Sequence, residues 1–202
     1  KRKIFDISPG KPNYLDADFR TPTPDRGRWE NIDYLDGLLC NWVSDILIDD
    51  NNNIWFACWT GISIFNGIEM KNITPKDGIP SKPINRLFKD SKGNVWAGAS
   101  TSKSSDLGLV KIDPNMNITP YYFSEEIPIQ SVNAITEDEY GRMIFGGSAG
   151  LTILDGKDFK NYDYADGMAN GGVRAILVEG KNMWIGTNIG LAYYNGKKFR
   201  TY

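Results

Sequence analysis

The sequence contains no histidine. Histidine is the commonest general base in enzymes and the commonest metal ligand in proteins. Its absence excludes a Ser–His–Asp triad, a Cys–His nucleophile pair and any zinc site that needs an imidazole ligand. We therefore expect no catalytic residue, no bound metal and no cofactor in this chain.

Cysteine is scarce, because the chain has two, Cys40 and Cys58. Neither belongs to a Cys-x-x-Cys pair, so the sequence does not indicate redox or metal chemistry. Free cysteines are among the residues most often buried. This favours two packed thiols over one disulfide, although a single bridge stays open as the alternative.

The chain also lacks an excess of charge of one sign and any long apolar run. It has 23 basic and 25 acidic residues and a formal net charge of -2. No basic run is longer than Lys1–Lys3, so we expect no nucleic-acid partner. No stretch approaches the length of about 18 apolar residues that a membrane-spanning helix needs.

Turn-forming residues are plentiful, with 21 glycines and 10 prolines, which favours short strands over helices. One step recurs four times: Val or Ile, two variable residues, then Ile or Leu, followed by an acidic turn. It begins at Val43, Ile84, Val132 and Val173, at intervals of 41, 48 and 41 residues. A recurring period of this length is typical of a repeat protein.

Each repeat continues with three further strands. The second reads "IWFA", "VWAG", "MIFG" or "MWIG", and a glycine followed by an apolar residue opens the third. The pairs Asn66–Gly67, Asp155–Gly156 and Asn195–Gly196 predict tight hairpin turns in which both residues adopt positive φ. A short fourth strand carries an apolar or aromatic pair such as Phe159 and Tyr162, and an Asp-Gly bend follows in most repeats.

Four short strands in each repeat of this length predict an all-β fold of the β-propeller type, with four four-stranded antiparallel blades. Trp55, Trp96 and Trp184 fall at the same point of three repeats, and we expect them to pack between blades. The alternative fold is a β-sandwich with regularly spaced strands. A sandwich would not require the same residues at the same phase of each repeat.

The predicted boundaries follow from the repeat. The four blades are assigned to 37–75, 76–123, 124–162 and 163–202. Residues 29–36, with Trp29 and Ile32, match a fourth strand and are interpreted as the outer strand of a preceding blade. Residues 1–28 are interpreted as a leader or the remnant of an earlier blade. These extra strands predict an open fragment of a larger ring.

The candidate binding face is the end at which the innermost strands begin. Two sets of loops meet there: those that enter each first strand and those that join the second and third strands. The candidate ligand-binding residues are Trp42, Trp59, Asn85, Asn133, Arg174 and Asn188. Their amides, guanidinium and indole rings suit a polar ligand that has apolar faces. The alternative is ordinary loop polarity.

Carboxylates do not mark a second kind of site. Pairs occur at Asp49–Asp50 and Glu137–Asp138, and their position recurs at the turn of each repeat. We therefore interpret them as solvated turn residues. Two alternative functions stay open. One is an enzyme built on a propeller, such as a lyase or hydrolase that uses a carboxylate or tyrosine base. The other is a protein-interaction propeller.

The assembled pattern V-x-x-I-x-x-D-x-x-G-x-x-W-x-G-x-x-x-G-L resembles the two-component regulator propeller repeat. Ile84–Gly98 and Val173–Leu191 carry the resemblance best, and it extends over residues 29–202. The third repeat departs from the pattern with Ile144 in place of Trp, and the first with Asn52 in place of Gly.

This resemblance implies a sensor domain of bacterial hybrid histidine kinases, on the periplasmic or extracellular side of the inner membrane, with about seven blades in a ring. It implies a ligand such as an oligosaccharide or another polar small molecule. The expected partners are this ligand, the remaining blades of the same receptor and a second copy in a homodimer. Without histidine, this chain cannot hold the phosphoacceptor of a kinase.

Overall fold

The computed structural model describes residues 32–100, 107–124, 131–169 and 171–202. In this part of the chain, sixteen strands form four separate sheets of four strands. Every sheet is antiparallel and keeps its strands in chain order. The predicted all-β class with four four-stranded antiparallel blades is confirmed.

Each sheet corresponds to one repeat, and we number the sheets blade 1 to blade 4. Blade 1 consists of β1 Val43–Ile48, β2 Ile54–Cys58, β3 Gly61–Phe65 and β4 Met70–Ile73. Blade 2 consists of β5 Ile84–Lys89, β6 Val95–Ala99, β7 Leu107–Ile112 and β8 Ile118–Tyr122. Blade 3 consists of β9 Ala134–Glu137, β10 Met143–Gly147, β11 Gly150–Asp155 and β12 Asp158–Tyr162. Blade 4 consists of β13 Val173–Glu179, β14 Asn182–Thr187, β15 Gly190–Tyr194 and β16 Phe199–Thr201.

Short 3-10 turns lie at the Asp-Gly bends, over Tyr34–Asp36, Pro75–Asp77 and Tyr164–Asp166. The residue before each turn forms a capping box with the aspartate at its end, and a glycine with positive φ closes it. This corrects the interpretation of 29–36 as one outer strand, because capping by Asp33 holds 34–36 in a turn. Residues 29–31 and the leader at 1–28 lie outside the described residues.

The hairpin turns between third and fourth strands differ in one detail from the prediction. Gly67, Gly156 and Gly196 have positive φ, but the residue before each glycine does not. In blade 1 the Asn66 side chain instead accepts hydrogen bonds from the backbone N–H groups of Ile68 and Glu69. Asparagine therefore acts here through its side-chain oxygen, as in other Asx turns.

The blades stack around their innermost strands. β1 contacts β5, β5 contacts β9, and β9 contacts β13. The apolar cores lie between neighbouring blades: Trp55 of blade 1 packs in one cluster with Ile84 of blade 2, and Trp96 of blade 2 in another with Phe145 of blade 3. A third cluster joins blades 3 and 4. The predicted packing role is confirmed for Trp55 and Trp96.

Small residues permit this close stacking. A Cβ atom on Gly98 would lie 2.5 Å from Cβ of Val132, the residue at which the next repeat begins. Gly146 meets Val173 of the following blade in the same way. In blades 2 and 3, glycine at this position is therefore required by the close approach of the next blade and not by a turn, whereas blade 1 accommodates Ala57 there.

The last face of the stack is uncovered. Ile62, Leu109 and Leu151 occupy one repeat position in blades 1 to 3 and are 0%, 0% and 1% exposed. Leu191 occupies the same position in blade 4 and is 39% exposed. In the first three blades, the next blade covers this position.

Among the described residues, no helix is long and apolar enough to cross a membrane.

Candidate ligand-binding face

Three positions of every repeat meet at one end of the stack, and we call them the rim positions. They are the residues directly before and after the Val or Ile that begins a repeat, and the residue that follows the second strand. Pairing of Val43 with Cys58 and of Val173 with Thr187 places them together. By blade they are Trp42, Ser44 and Trp59; Pro83, Asn85 and Ser100; Ser131, Asn133 and Ser148; and Gly172, Arg174 and Asn188.

Eight of the nine rim positions of blades 2 to 4, all except Pro83, line a cavity of about 580 Å³. Its lining residues are Asn85, Ser100, Ser131, Asn133, Ser148, Gly172, Arg174 and Asn188. Four of the six predicted site residues therefore lie in one cavity. In the described part of the chain, the lining consists of amides, hydroxyls, one glycine and one guanidinium, with no carboxylate.

Two of these asparagines also have a structural role. Nδ2 of Asn85 donates to the carbonyl oxygen of Val132 at 3.4 Å, and Nδ2 of Asn133 donates to that of Val173 at 3.1 Å. Each amide thus connects its own blade to the start of the next. No local sequence pattern indicates these bonds, because their partners are 47 and 40 residues away.

Arg174 occupies the corresponding position in blade 4. Its Nε–H donates to Oδ1 of Asn188 at 2.5 Å. In the described part of the chain, no carboxylate lies within ion-pair distance of the Arg174 guanidinium. The side chain is exposed, so the cavity carries one positive charge that is accessible to a ligand.

Trp42 and Trp59 do not line the cavity. They lie at the rim positions of blade 1 and are 66% and 52% exposed. Their rings pack edge to face with centroids 5.8 Å apart. The structure therefore pairs the two predicted tryptophans with each other and separates them from the other four predicted site residues.

Cys40 supports the tryptophan pair, and sequence reasoning missed this role. Its thiol donates to the carbonyl oxygen of Trp42 and accepts from the backbone N–H of Trp59, both at 3.2 Å. Both cysteines are free. Burial raises the pKa of the Cys58 thiol to about 11, so this second thiol stays protonated at neutral pH.

Two of the turn aspartates at the opposite end, Asp90 and Asp138, are buried, which corrects the interpretation of this position as solvated, whereas Asp49 is partly exposed and Asp50 is exposed. Asp90 is buried, and its carboxylate accepts bonds from the backbone of Lys92 and Asn94 and from the side chains of Asn94 and Trp96. Burial raises the pKa of Asp90, but these hydrogen bonds outweigh it and hold the pKa below its usual value.

The equivalent aspartates of blades 1 and 3 follow the same arrangement. Asp49 accepts from Trp55 Nε1 at 2.8 Å. In blade 3, where Ile144 replaces Trp, Nε of Arg142 donates to Asp138 at 2.7 Å instead. These carboxylates brace turns and are engaged by their own blade. No cluster of three or more potential metal ligands occurs in the ranges that the structure covers.

Two further cavities lie between blades at the end opposite the rim. One, of about 360 Å³, includes Asp49 and Asp113, whose carboxylates already accept hydrogen bonds within their turns. The other, of about 680 Å³, includes Tyr162 and Tyr194, whose hydroxyls are 3.1 Å apart. None of the six predicted site residues lines either of these cavities, whereas four of them line the rim cavity, which is therefore the candidate ligand site.

The stacked four-stranded blades, with cores between them and variable residues at one rim, define a repeat protein of the β-propeller class. The family model of the two component regulator propeller matches residues 37–60 and 78–101. The resemblance found in the sequence is confirmed.

Comparison with known proteins places similar repeats in signalling receptors. Histidine kinase P4 from Formosa agariphila is 29% identical over 160 residues, which cover 73% of this chain and 12% of the kinase. The solved extracellular domain assigned to a hybrid two component system of B. thetaiotaomicron matches with a TM-score of 0.71 at 21% identity, over 85% of this chain and 24% of that domain.

A second solved extracellular domain, assigned to a one component system of B. thetaiotaomicron, has a TM-score of 0.66 at 20% identity and also covers 85% of this chain and 24% of that domain. The chain thus spans about a quarter of each solved domain and 12% of the kinase. At these identities the solved structures establish the fold.

Proposed function

We propose that this chain is a non-catalytic sensor module of a bacterial two-component receptor, on the periplasmic or extracellular side of the inner membrane. The relatives supply the receptor context, because they are a histidine kinase and extracellular domains of signalling systems. The rim cavity is the proposed ligand site, and an oligosaccharide or another polar small molecule is the proposed ligand.

The observation that carries this proposal is the convergence of Asn85, Asn133, Arg174 and Asn188 on one cavity. The residues that stack the blades are apolar and recur in every repeat, whereas the rim residues differ from blade to blade. Concave sites with a few convergent polar groups are the usual form of small-molecule sites. Amide and hydroxyl groups can both donate to and accept from sugar hydroxyls.

The exposed tryptophans of blade 1 are consistent with a sugar ligand. Trp42 and Trp59 offer apolar ring surface beside a polar rim, and their exposure leaves this surface available. A ligand longer than the cavity could extend from the polar rim of blades 2 to 4 to the aromatic rim of blade 1. This arrangement favours an oligosaccharide over a compact ion.

The remaining blades of the same receptor are the proposed partner of the uncovered face. Leu191 is exposed where its three counterparts are buried by a neighbouring blade, and the chain spans about a quarter of its solved relatives. A further blade of a ring of about seven fits both observations. A second copy of the chain is the alternative occupant.

The two alternative functions, an enzyme and a protein-interaction propeller, would each need different features at the rim. A propeller enzyme would need an acidic or tyrosine base at the rim, and neither occurs among the described residues that line the cavity. A protein-interaction propeller would bind its partner over a broad surface of about 800 Å² on each side, whereas the described rim residues of blades 2 to 4 converge on one concave cavity. Both observations favour a small polar ligand.

The test is an oligosaccharide library screened against the full chain by thermal shift, with the hits measured by calorimetry. Asn188→Ala and Arg174→Ala should each weaken binding about tenfold or more, since each removes hydrogen bonds from the ligand site. Trp42→Ala should weaken longer ligands more than shorter ones. Asn51→Ala, an exposed asparagine at the opposite end, is the matched control and should have no effect.

The proposal fails if Asn188→Ala, Arg174→Ala and Trp42→Ala all fold and bind the hits like the wild type. The ligand would then have to bind on another face. Turnover of a bound oligosaccharide would instead favour the enzyme.

A further inference from the structure

Among the residues that the structure describes, the lining of the rim cavity carries a single formal charge. Its lining residues are neutral amides, hydroxyls and a glycine, apart from Arg174. A cavity that recognised only uncharged sugar hydroxyls would need donors and acceptors but no net charge. The arginine therefore points to a feature of the ligand beyond its hydroxyl groups.

Arg174 differs from the other arginines that the structure describes. Arg142 is paired with Asp138, Arg86 donates to the Asn133 carbonyl oxygen and lies 3.9 Å from Asp45, and Arg200 stacks over the ring of Tyr202. Within the described ranges, Arg174 alone has neither a carboxylate nor an aromatic ring as partner. Its hydrogen bond is to the neutral side-chain amide of Asn188.

That contact fixes which edge of the guanidinium is available. Nε–H is used by Oδ1 of Asn188, so the Nη1 and Nη2 groups remain to bind a ligand end-on. Two parallel N–H groups match the two oxygens of a carboxylate or sulfate, and such bidentate bonds are stronger than bonds between neutral groups. Asn188 acts as a positioning residue, because it orients the fork without neutralising it.

We propose that the ligand of the rim cavity carries an anionic group, a carboxylate or a sulfate ester on the sugar, bound end-on by Arg174. This inference rests on the proposed function, since it names the class of ligand for the same cavity. The surrounding amides and hydroxyls then bind the neutral part of the ligand.

The anion site is tested without knowing the full ligand. The full chain, labelled with ¹⁵N, is titrated with sodium acetate and sodium sulfate, with acetamide as the neutral probe. The Arg174 Nε–H signal, assigned by its loss in Arg174→Gln, should shift and saturate at concentrations about tenfold lower than the Arg200 signal. Acetamide should produce no saturable shift. Arg174 responding no more strongly than Arg200 to either anion overturns the proposal.

A second variant keeps Arg174 but pairs its guanidinium with a carboxylate of the protein, so that it is no longer available to an anion. Asn188→Asp places a carboxylate at the same position, where it should pair with Arg174 and lower anion affinity about tenfold. The site is exposed, so the fold should tolerate the change. Anion binding as strong in Asn188→Asp as in the wild type would contradict the proposed site.

Methyl glucuronide, methyl glucoside 6-sulfate and methyl glucoside distinguish the two sources of the anion. Preference for the first indicates a carboxylate, and preference for the second indicates a sulfate ester. Should the library hits be neutral and bind Arg174→Gln as well as the wild type, the anionic ligand is wrong and the ligand-binding function stands. Absence of both anion and oligosaccharide binding overturns both proposals.

Discussion

The aspartate at the turn of each of the first three blades connects a sequence signal to a physical brace. Oδ1 of Asp90 accepts two backbone N–H groups, and Oδ2 accepts the side chains of Asn94 and Trp96. The acidic turn and the tryptophan of the repeat are therefore one hydrogen-bonded unit. Where the tryptophan is missing in blade 3, Arg142 donates in its place.

Asp90→Asn should lower the free energy of unfolding at pH 7 by about 1.5 to 3 kcal/mol, the usual contribution of hydrogen bonds to a charged group. The amide would oppose the donors on Asn94 and Trp96 with a donor of its own. Urea unfolding followed by tryptophan fluorescence measures the change. Asp158→Asn, which removes a carboxylate that accepts no bond from a described residue, should have a small effect.

The lowered pKa of Asp90 predicts that the free energy of unfolding depends on pH. The pKa of Asp90 in the folded state is lowered relative to the unfolded chain, so its stabilisation is present above the unfolded value of about 3.9. It is lost as the pH falls further through the folded pKa. Below about pH 4, Asp90→Asn should therefore lose stability less steeply than the wild type. Parallel curves for the two proteins would show that Asp90 does not contribute.

The two thiols should differ in reactivity. Cys58 is 0% exposed, and burial raises its pKa to about 11, whereas Cys40 is partly exposed. Since the thiolate is the reactive form, iodoacetamide at pH 8 should label Cys40 first and Cys58 only after unfolding. Mass spectrometry of the digested protein measures the order, and equal labelling of both in the folded chain would contradict it.

At the scale of the strands, the distance between blades depends on a glycine in the second strand of blades 2 and 3. Val132 approaches Gly98, and Val173 approaches Gly146, at distances that leave no room for a methyl group. This packing lies between blades, and both glycines have negative φ, so neither glycine is required by a turn. It explains why "VWAG" and "MIFG" carry glycine within a strand, where glycine is otherwise unfavourable.

Gly146→Ala should destabilise the chain by about 1 to 3 kcal/mol, because the added methyl group overpacks the contact with Val173. Gly186→Ala provides a matched control in blade 4, where the nearest atom to an added Cβ is 3.8 Å away in Ala175. Thermal unfolding of both variants measures the difference. Equal effects would mean that the penalty reflects strand propensity and not the distance between blades.

The periodicity of the sequence was sufficient to predict the strands. The four Val/Ile steps and the following "IWFA"-type segments locate the first two strands of each blade. The positions of the third and fourth strands then follow, because short turns leave little freedom in where the next strand begins. The Asp-Gly pattern predicts a bend at Asp36–Gly37, but the spacing of Trp29 and Ile32 does not indicate the 3-10 turn over Tyr34–Asp36, which depends on capping by the Asp33 side chain.

The candidate site was predictable in part for the same reason. Repeat phase places Asn85, Asn133, Arg174 and Asn188 at one rim, whatever the details of packing. The bonds from Asn85 and Asn133 to the next blade, and the bond from Trp59 to Cys40, join residues 47, 40 and 19 positions apart. Contacts across such distances depend on how blades stack, which local sequence patterns do not encode.

At the scale of the whole molecule, the uncovered face of blade 4 determines how the chain behaves in solution. The position that is buried in blades 1 to 3 is exposed at Leu191, and Leu177 on the same sheet is 58% exposed. An apolar sheet face of this kind favours association with another sheet.

The isolated chain should therefore associate in a concentration-dependent way, and Leu191→Lys should weaken the association. Sedimentation velocity over a range of concentrations measures the change. Ile68→Lys, at a turn of blade 1 where Ile68 is 77% exposed, removes a similar apolar side chain elsewhere and should leave association unchanged. A wild-type chain that sediments as a monomer at every concentration would contradict the prediction.

The separation between stacking residues and rim residues has a consequence for how such proteins diversify. Ile84, Gly98 and Leu109 hold blade 2 between its neighbours, while Asn85 and Ser100 of the same blade face the rim. Duplication of a blade-length segment copies the stacking surfaces intact and adds three rim side chains, at positions that already differ from blade to blade. New specificities can therefore arise by gene duplication and point mutation at the rim, without a new fold having to evolve.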